Sequence, residues 1–131
     1  MINYGRQFLD KKDIVSVSKV LSSDWLTQGP NVEKFENALK KKFGTNYCCV
    51  VANGTAALHL AGLSLGWKPG DIIITTPITF LATANCIVYT GATPNFVDIN
   101  SATYTIDPNQ LEDRIKFHRE KNQVIKNLFF L

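Results

Sequence analysis

Apolar positions recur at helical spacing early in the chain. After Asp10, residues Ile14, Val17, Val20 and Leu21 mark one face of a helix. Asp10 can cap it, and Phe8-Leu9 stand where a hydrophobic staple would. Residues 22–31, Ser-Ser-Asp-Trp-Leu-Thr-Gln-Gly-Pro-Asn, read as a loop punctuated by Gly29-Pro30. A second helix is expected from about Asn31, with Val32, Phe35, Leu39 and Phe43 on one side and Gly44 as its stop. Then the period changes. Tyr47 to Ala52 is a continuous apolar run, the pattern of a strand buried on both faces. Asn53-Gly54-Thr55 interrupts it, and Ala56 to Leu65 reads as a helix ended by Gly66. After the turn chemistry of Lys68-Pro-Gly-Asp71, Ile72 to Thr76 predicts a second strand, closed by Pro77. Phe80 to Tyr89 predicts a helix stopping near Gly91, and Asn95 to Ile99 a third strand. Asp107-Pro108 opens a last helix as cap and first-turn proline, with Leu111, Ile115 and Phe117 as its apolar residues.

Strands alternating with helices imply an α/β fold, a three-layer αβα arrangement on a mostly parallel sheet. The 131 residues make one domain or part of one. Apolar residues make up 45%, which excludes disorder and collagen-like structure. From His118 onward the amphipathic pattern dissolves, and the chain closes on Leu-Phe-Phe-Leu131. An αβα layer should continue into a strand there, so either a strand is beginning or the natural sequence has been cut. The expected organisation is residues 1–30 as a helix and loop, 31–117 as the α/β layer, and 118–131 as an anomalous tail.

Charge changes the picture little. The net charge of +3 is spread out, and its one basic triplet, Lys40-Lys41-Lys42, reads as a solvated helix face. A nucleic-acid binder would carry a clustered stripe. No run approaches the ~18 apolar residues of a membrane span, and the start, Met-Ile-Asn-Tyr-Gly-Arg-Gln, lacks a secretory pattern. Cys48, Cys49 and Cys86 form no CxxC pair and read as buried free thiols of a cytoplasmic protein. No metal-ligand cluster is visible. His59 reads as partly buried packing.

Candidate chemistry sits in two segments. In Val50-Val-Ala-Asn-Gly-Thr-Ala-Ala-Leu58, a strand meets a helix through Gly54-Thr55. The free N–H groups of a first helical turn favour an anion, and a glycine lets a phosphate approach the backbone. Thr55 can donate its hydroxyl to that phosphate or simply cap the helix, as in an ordinary strand–helix turn. In Thr75-Thr-Pro-Ile-Thr-Phe-Leu-Ala-Thr-Ala-Asn85, Phe80 stands at a helix entrance. In a parallel sheet both segments share the carboxyl edge, where ligands bind. Phe80 there either offers a flat face to a planar ring or fills the core.

Taken with three further segments, these residues resemble the DegT/DnrJ/StrS-type sugar aminotransferases. Trp25-Leu-Thr-Gln-Gly-Pro30 with Val32 and Phe35-Glu36, Asn53-Gly-Thr-Ala-Ala-Leu58, Pro69-Gly-Asp71 with Thr76 to Asn85, Gly91-Ala-Thr-Pro-Asn-Phe-Val-Asp98, and Ile106-Asp-Pro108 follow the family's order and spacing. Within it, the likeness is to transaminases that make 4-amino-4,6-dideoxy-hexose nucleotides, as in pseudaminic acid synthesis. The resemblance implies the N-terminal part of the large domain of a fold-type I enzyme using pyridoxal 5'-phosphate. Gly54 and Thr55 would hold the cofactor phosphate and Phe80 would stack on its ring. Trp25, Thr27, Gln28 and Gly29 would lie near the substrate. The intact enzyme would be a homodimer moving an amino group from an amino acid, glutamate by expectation, to a 4-keto-6-deoxy sugar nucleotide.

The family's Schiff-base lysine and the carboxylate on the pyridine nitrogen come from segments downstream of residue 131. Ser16-Val-Ser-Lys19 has the Ser-x-x-Lys form but lies on the first helix, so Lys19 is rejected for that role. Asp98 is not given the carboxylate's. Three other readings stand beside this one: a non-catalytic truncated product, a family dehydratase with histidine at the lysine's position, and an unrelated flavodoxin-like phosphate-binding module. On the first reading the isolated chain, with an uncovered sheet edge, is expected to be poorly soluble and inactive.

Overall fold

The computed structural model describes residues 5–123 and 125–128. Met1–Tyr4, where the secretory pattern was sought, and the apolar end beyond Leu128 lie outside them. The chain divides into two compact units, Met1–Val50 and Val51–Leu131.

The first unit holds α1 (Lys11–Leu21) and α2 (Pro30–Phe43). Asp10 accepts from the Lys12 and Asp13 N–H groups, and the Asp13 side chain accepts from the Asp10 N–H. This reciprocal box satisfies donors that a helix start otherwise leaves free. Pro30 occupies the first turn of α2, and Gly44 ends it at φ 67°, a left-handed conformation natural to glycine. Neither helix has a fully buried residue. The strand expected over Tyr47–Ala52 is not formed. Val50 gives its N–H to the Glu36 carboxylate at 2.9 Å instead of to a ladder. Tyr47 is 90% exposed, Cys49 is exposed and Cys48 half-buried, so of the three thiols only Cys86 is buried as expected. The run is apolar enough for a strand, but it pairs with no described strand.

The second unit carries α3 (Gly54–Ser64), β1 (Ile72–Thr75), α4 (Ala82–Tyr89), β2 (Thr93–Phe96), α5 (Pro108–Glu120) and β3 (Ile125–Leu128). The three strands form one parallel sheet in the order β2-β1-β3. β1 is central and all four of its residues are buried. Alternation sends its side chains to opposite faces. Ile73 meets Trp67, Cys86, Ile87 and Ala92, with Leu58 packed against them. Ile72 and Ile74 meet Val97, with Ile106, Leu111, Ile115 and Ile125 around them. Thus α3 and α4 cover one face and α5 the other, giving the expected αβα layers. Each fully buried isoleucine contributes about 1.5–3 kcal/mol.

β2 lies two residues earlier than its apolar run predicts, and it contains Pro94. Thr93 and Val97 donate to the Asp71 and Thr75 carbonyls, both at 2.9 Å. The missing N–H of Pro94 therefore faces the open edge, where a strand tolerates proline. α5 runs past Phe117 to Glu120, and the pattern lost after His118 resumes as β3 beside β1. Buried His118 closes the turn between them, its Nδ1 lying 2.7 Å from Gln123 Oε1. Phe117 is 41% exposed rather than core, with the Lys121 ammonium 4.1 Å above its ring. Gly62 allows α3 to approach Trp67, since a Cβ there would lie 2.6 Å from Trp67 Cε3.

Candidate functional site

The two chemistry-bearing segments meet in one cleft of about 680 Å3 in the second unit. Gly54, Thr55, Ala57 and Leu58 from α3 form one wall. Thr79 and Phe80 from the loop after β1, with Ala82 and Thr83 from α4, form the other.

The helix start on the first wall is built by Asn53. Its side chain accepts from the Ala56 N–H at 2.9 Å, and its carbonyl accepts the first helical bond, from Ala57, at 3.2 Å. Asn53, and not Thr55, is therefore the cap. The Gly54 and Thr55 N–H groups and the Thr55 hydroxyl have no partner among the described residues. A Cβ at Gly54 would meet nothing within 4 Å, so the approach to these donors is open. Helix dipole and free donors together favour an anion here.

Phe80 precedes α4, which begins two residues later than predicted. The Phe80 carbonyl accepts from the Thr83 N–H at 2.9 Å, fixing the residue at the helix entrance. Its side chain is 77% exposed. Of the two readings of Phe80, the core one fails. Below it the Thr79 and Thr83 hydroxyls pair at 3.0 Å. Among the described residues no charged side chain, and so no lysine, lines the cleft. Its wall can hold an anion through neutral donors and cover a planar ring with apolar surface. Deeper in α4, Cys86 donates to the Thr83 carbonyl at 3.1 Å, and burial pushes its thiol above the ordinary range.

The other four predicted positions, Trp25, Thr27, Gln28 and Gly29, lie on the α1–α2 connection in the first unit. Trp25 is 62% exposed. Gln28 takes φ 49° and Gly29 caps α2 without a side chain. A Cβ at Gly29 would lie 2.8 Å from Trp25 Cβ, so this glycine permits the tight turn. Sequence reasoning missed the jobs of Asn53 and Glu36. The Asn53 signal was present, since asparagine just before a helix is a preferred cap. The Glu36 bond spans fourteen residues and has no local signature.

No group of three or more possible metal ligands occurs among the described residues, and no described helix is long and apolar enough to cross a membrane.

Comparison with known proteins is in keeping with this geometry. The chain is 43% identical over 115 residues to the UDP-4-amino-4,6-dideoxy-N-acetyl-beta-L-altrosamine transaminase of Campylobacter jejuni, covering 88% of this chain and 30% of that protein. Helicobacter pylori PseC, an aminotransferase involved in the biosynthesis of pseudoaminic acid, superposes with a TM-score of 0.78 at 35% identity, over 96% of this chain and 33% of that one. NtdA from Bacillus subtilis, solved with bound cofactor PMP, gives a TM-score of 0.69 at 35% identity, over 76% of this chain and 23% of that one. The chain thus spans about a third or less of these relatives' length. The model of the DegT/DnrJ/EryC1/StrS aminotransferase family matches residues 7–125, and the chain belongs to that family.

Proposed function

We propose that the cleft holds the phosphate and ring of pyridoxal 5'-phosphate. On this reading the chain is the N-terminal part of the large domain of a sugar-nucleotide aminotransferase. The observation that carries it is the meeting of an open, asparagine-capped helix start with an exposed Phe80 in one cleft. That donor set fits a phosphate, and the apolar wall fits a planar ring. The Gly54 and Thr55 N–H groups and the Thr55 hydroxyl bind phosphate oxygens. Phe80 packs against the ring, and Ala57, Leu58 and Ala82 keep water from it. The bound cofactor supplies an electron sink for amino transfer.

The intact enzyme, on the same reading, is a cytoplasmic homodimer. It moves an amino group from glutamate to a 4-keto-6-deoxy sugar nucleotide, for nonulosonic acid or surface polysaccharide synthesis. Trp25, Thr27, Gln28 and Gly29 lie near that substrate. On this reading the 131 residues bind the cofactor without transaminating, since no described residue of the cleft is a lysine that could hold it covalently.

The test is affinity for pyridoxamine phosphate, which has no aldehyde to react with surface lysines. Thr55→Val is expected to weaken it about tenfold or more, the loss of one hydrogen bond to a charged group. Phe80→Ala is expected to weaken it less. Pyridoxamine, lacking the phosphate, should bind far more poorly. Equal affinity for the two probes would overturn the reading.

A further inference from the structure

Phe80 stands on a segment with little packing of its own. Its neighbours Ile78 and Leu81 are 65% and 67% exposed. The start of α4 also lacks the side-chain cap that α1, α3 and α5 have. Its N-cap position is Leu81, which makes no side-chain capping bond. A platform for a flat ring has to be held in place by something else.

Thr83 supplies that hold. It lies in the first turn of α4 and is 1% exposed. On its core side, the buried Cys86 thiol donates to the Thr83 carbonyl at 3.1 Å. On its cleft side, the Thr83 N–H donates to the Phe80 carbonyl at 2.9 Å, and its hydroxyl meets the Thr79 hydroxyl at 3.0 Å. A threonine inside a helix commonly bonds back to the carbonyl four residues earlier. Thr83 bonds the side chain four residues earlier instead. Phe80 is therefore held between two bonds from one buried residue, one to its own carbonyl and one to the residue before it. The other side-chain tie of this loop, from the Thr76 hydroxyl to the Ile78 carbonyl, is longer at 3.4 Å and weaker.

We propose that Thr83 is a positioning residue for Phe80. Anchored to the core and bonded to Thr79, it holds the segment so that the Phe80 ring stays at the cleft. It touches no cofactor atom in this role. That the Phe80 ring meets a cofactor ring rests on the cofactor reading. That Thr83 orders Phe80 does not. A hydroxyl pair needs a donor and an acceptor, so valine at either position removes the bond and serine keeps it.

The experiment compares the whole parent chain with Thr83→Val and Thr83→Ser. In the free chain, the NMR order parameter of the Phe80 amide should fall from about 0.85 toward about 0.6 in Thr83→Val and stay high in Thr83→Ser. Affinity for pyridoxamine phosphate should fall about threefold in Thr83→Val, the loss of one neutral hydrogen bond, and no further than in Phe80→Ala. Thr83→Ser should bind as the parent does. Adding Thr83→Val to Phe80→Ala should weaken binding no further, because the two changes act through one ring. If Thr83→Val loses helix by circular dichroism, Thr79→Val breaks the same bond from its half-buried side and should give the same results. An unchanged Phe80 order parameter in both valine variants would overturn the proposal, whatever binds. So would additive losses in the double variant, since Thr83 would then act without Phe80. If Phe80 loosens in Thr83→Val but pyridoxamine phosphate leaves the Gly54 and Thr55 amides of the parent unmoved, the cofactor reading fails and the hold on Phe80 stands.

Discussion

Helices α1 and α3 are both 11 residues long and both start at a side-chain cap, yet they end in opposite circumstances. α1 has the cleaner apolar stripe, but Ile14, Val17 and Leu21 are 61%, 59% and 65% exposed. α3 is apolar on most sides and nonetheless seats Gly62 and Leu58 against the core. The difference is β1. In the second unit a central strand offers Ile73 to one layer and Ile72 and Ile74 to the other. Among its described residues the first unit has no strand to pack on. Apolar spacing thus sets which element forms and which side it would bury. Whether burial follows depends on a partner surface.

The contrast can be broken most sharply at the cysteines. Cys49 is exposed, whereas Cys86 is fully buried and its thiol is pushed up by burial. A thiol reagent at neutral pH should label Cys49 at once. Cys86 should follow only through opening, slower by about a hundredfold or more for a few kcal/mol of local stability. Comparable rates would show that the second unit has no closed core.

Next in size are core truncations. Ile73→Ala should cost about 2–5 kcal/mol in denaturant unfolding followed by the fluorescence of buried Trp67. Ile14→Ala should stay within about 0.5 kcal/mol. Equal losses would mean that α1 is packed after all. Gly62→Ala sharpens the point. Helix propensity favours alanine by up to about 1 kcal/mol, but the added methyl meets Trp67, and overpacking costs about 1–3 kcal/mol. A net loss is expected in the same unfolding assay. Asp10→Ala should cost about 1 kcal/mol. It should lower far-ultraviolet helicity without moving the Trp67 transition.

Local chemistry made much of this legible. Asp10, Gly44 and Asp107-Pro108 marked the start of α1, the end of α2 and the start of α5. The three isoleucines marked the central strand, because a run buried on both faces has no polar positions to disguise it. The cleft was legible as two segments at one sheet edge. What failed depended on distant partners. Tyr47–Ala52 looks like a core strand, yet a strand exists only where another backbone pairs with it. β2 slid to Thr93 because pairing with β1, and not the apolar run over 95–99, fixed its register. A strand after His118 was one of the two readings of the tail, and β3 forms there beside β1 although Lys126 and Asn127 weaken the apolar pattern.

The central claim is that Gly54, Thr55 and Phe80 form one phosphate-and-ring site. It is tested most directly by following backbone amide and aromatic NMR signals while adding pyridoxamine phosphate, then pyridoxamine. The account predicts that the Gly54 and Thr55 amides shift only with the phosphorylated probe, together with the Phe80 ring signals. Shifts that ignore the phosphate, or that leave Gly54 and Thr55 unmoved while the probe binds elsewhere, would contradict it.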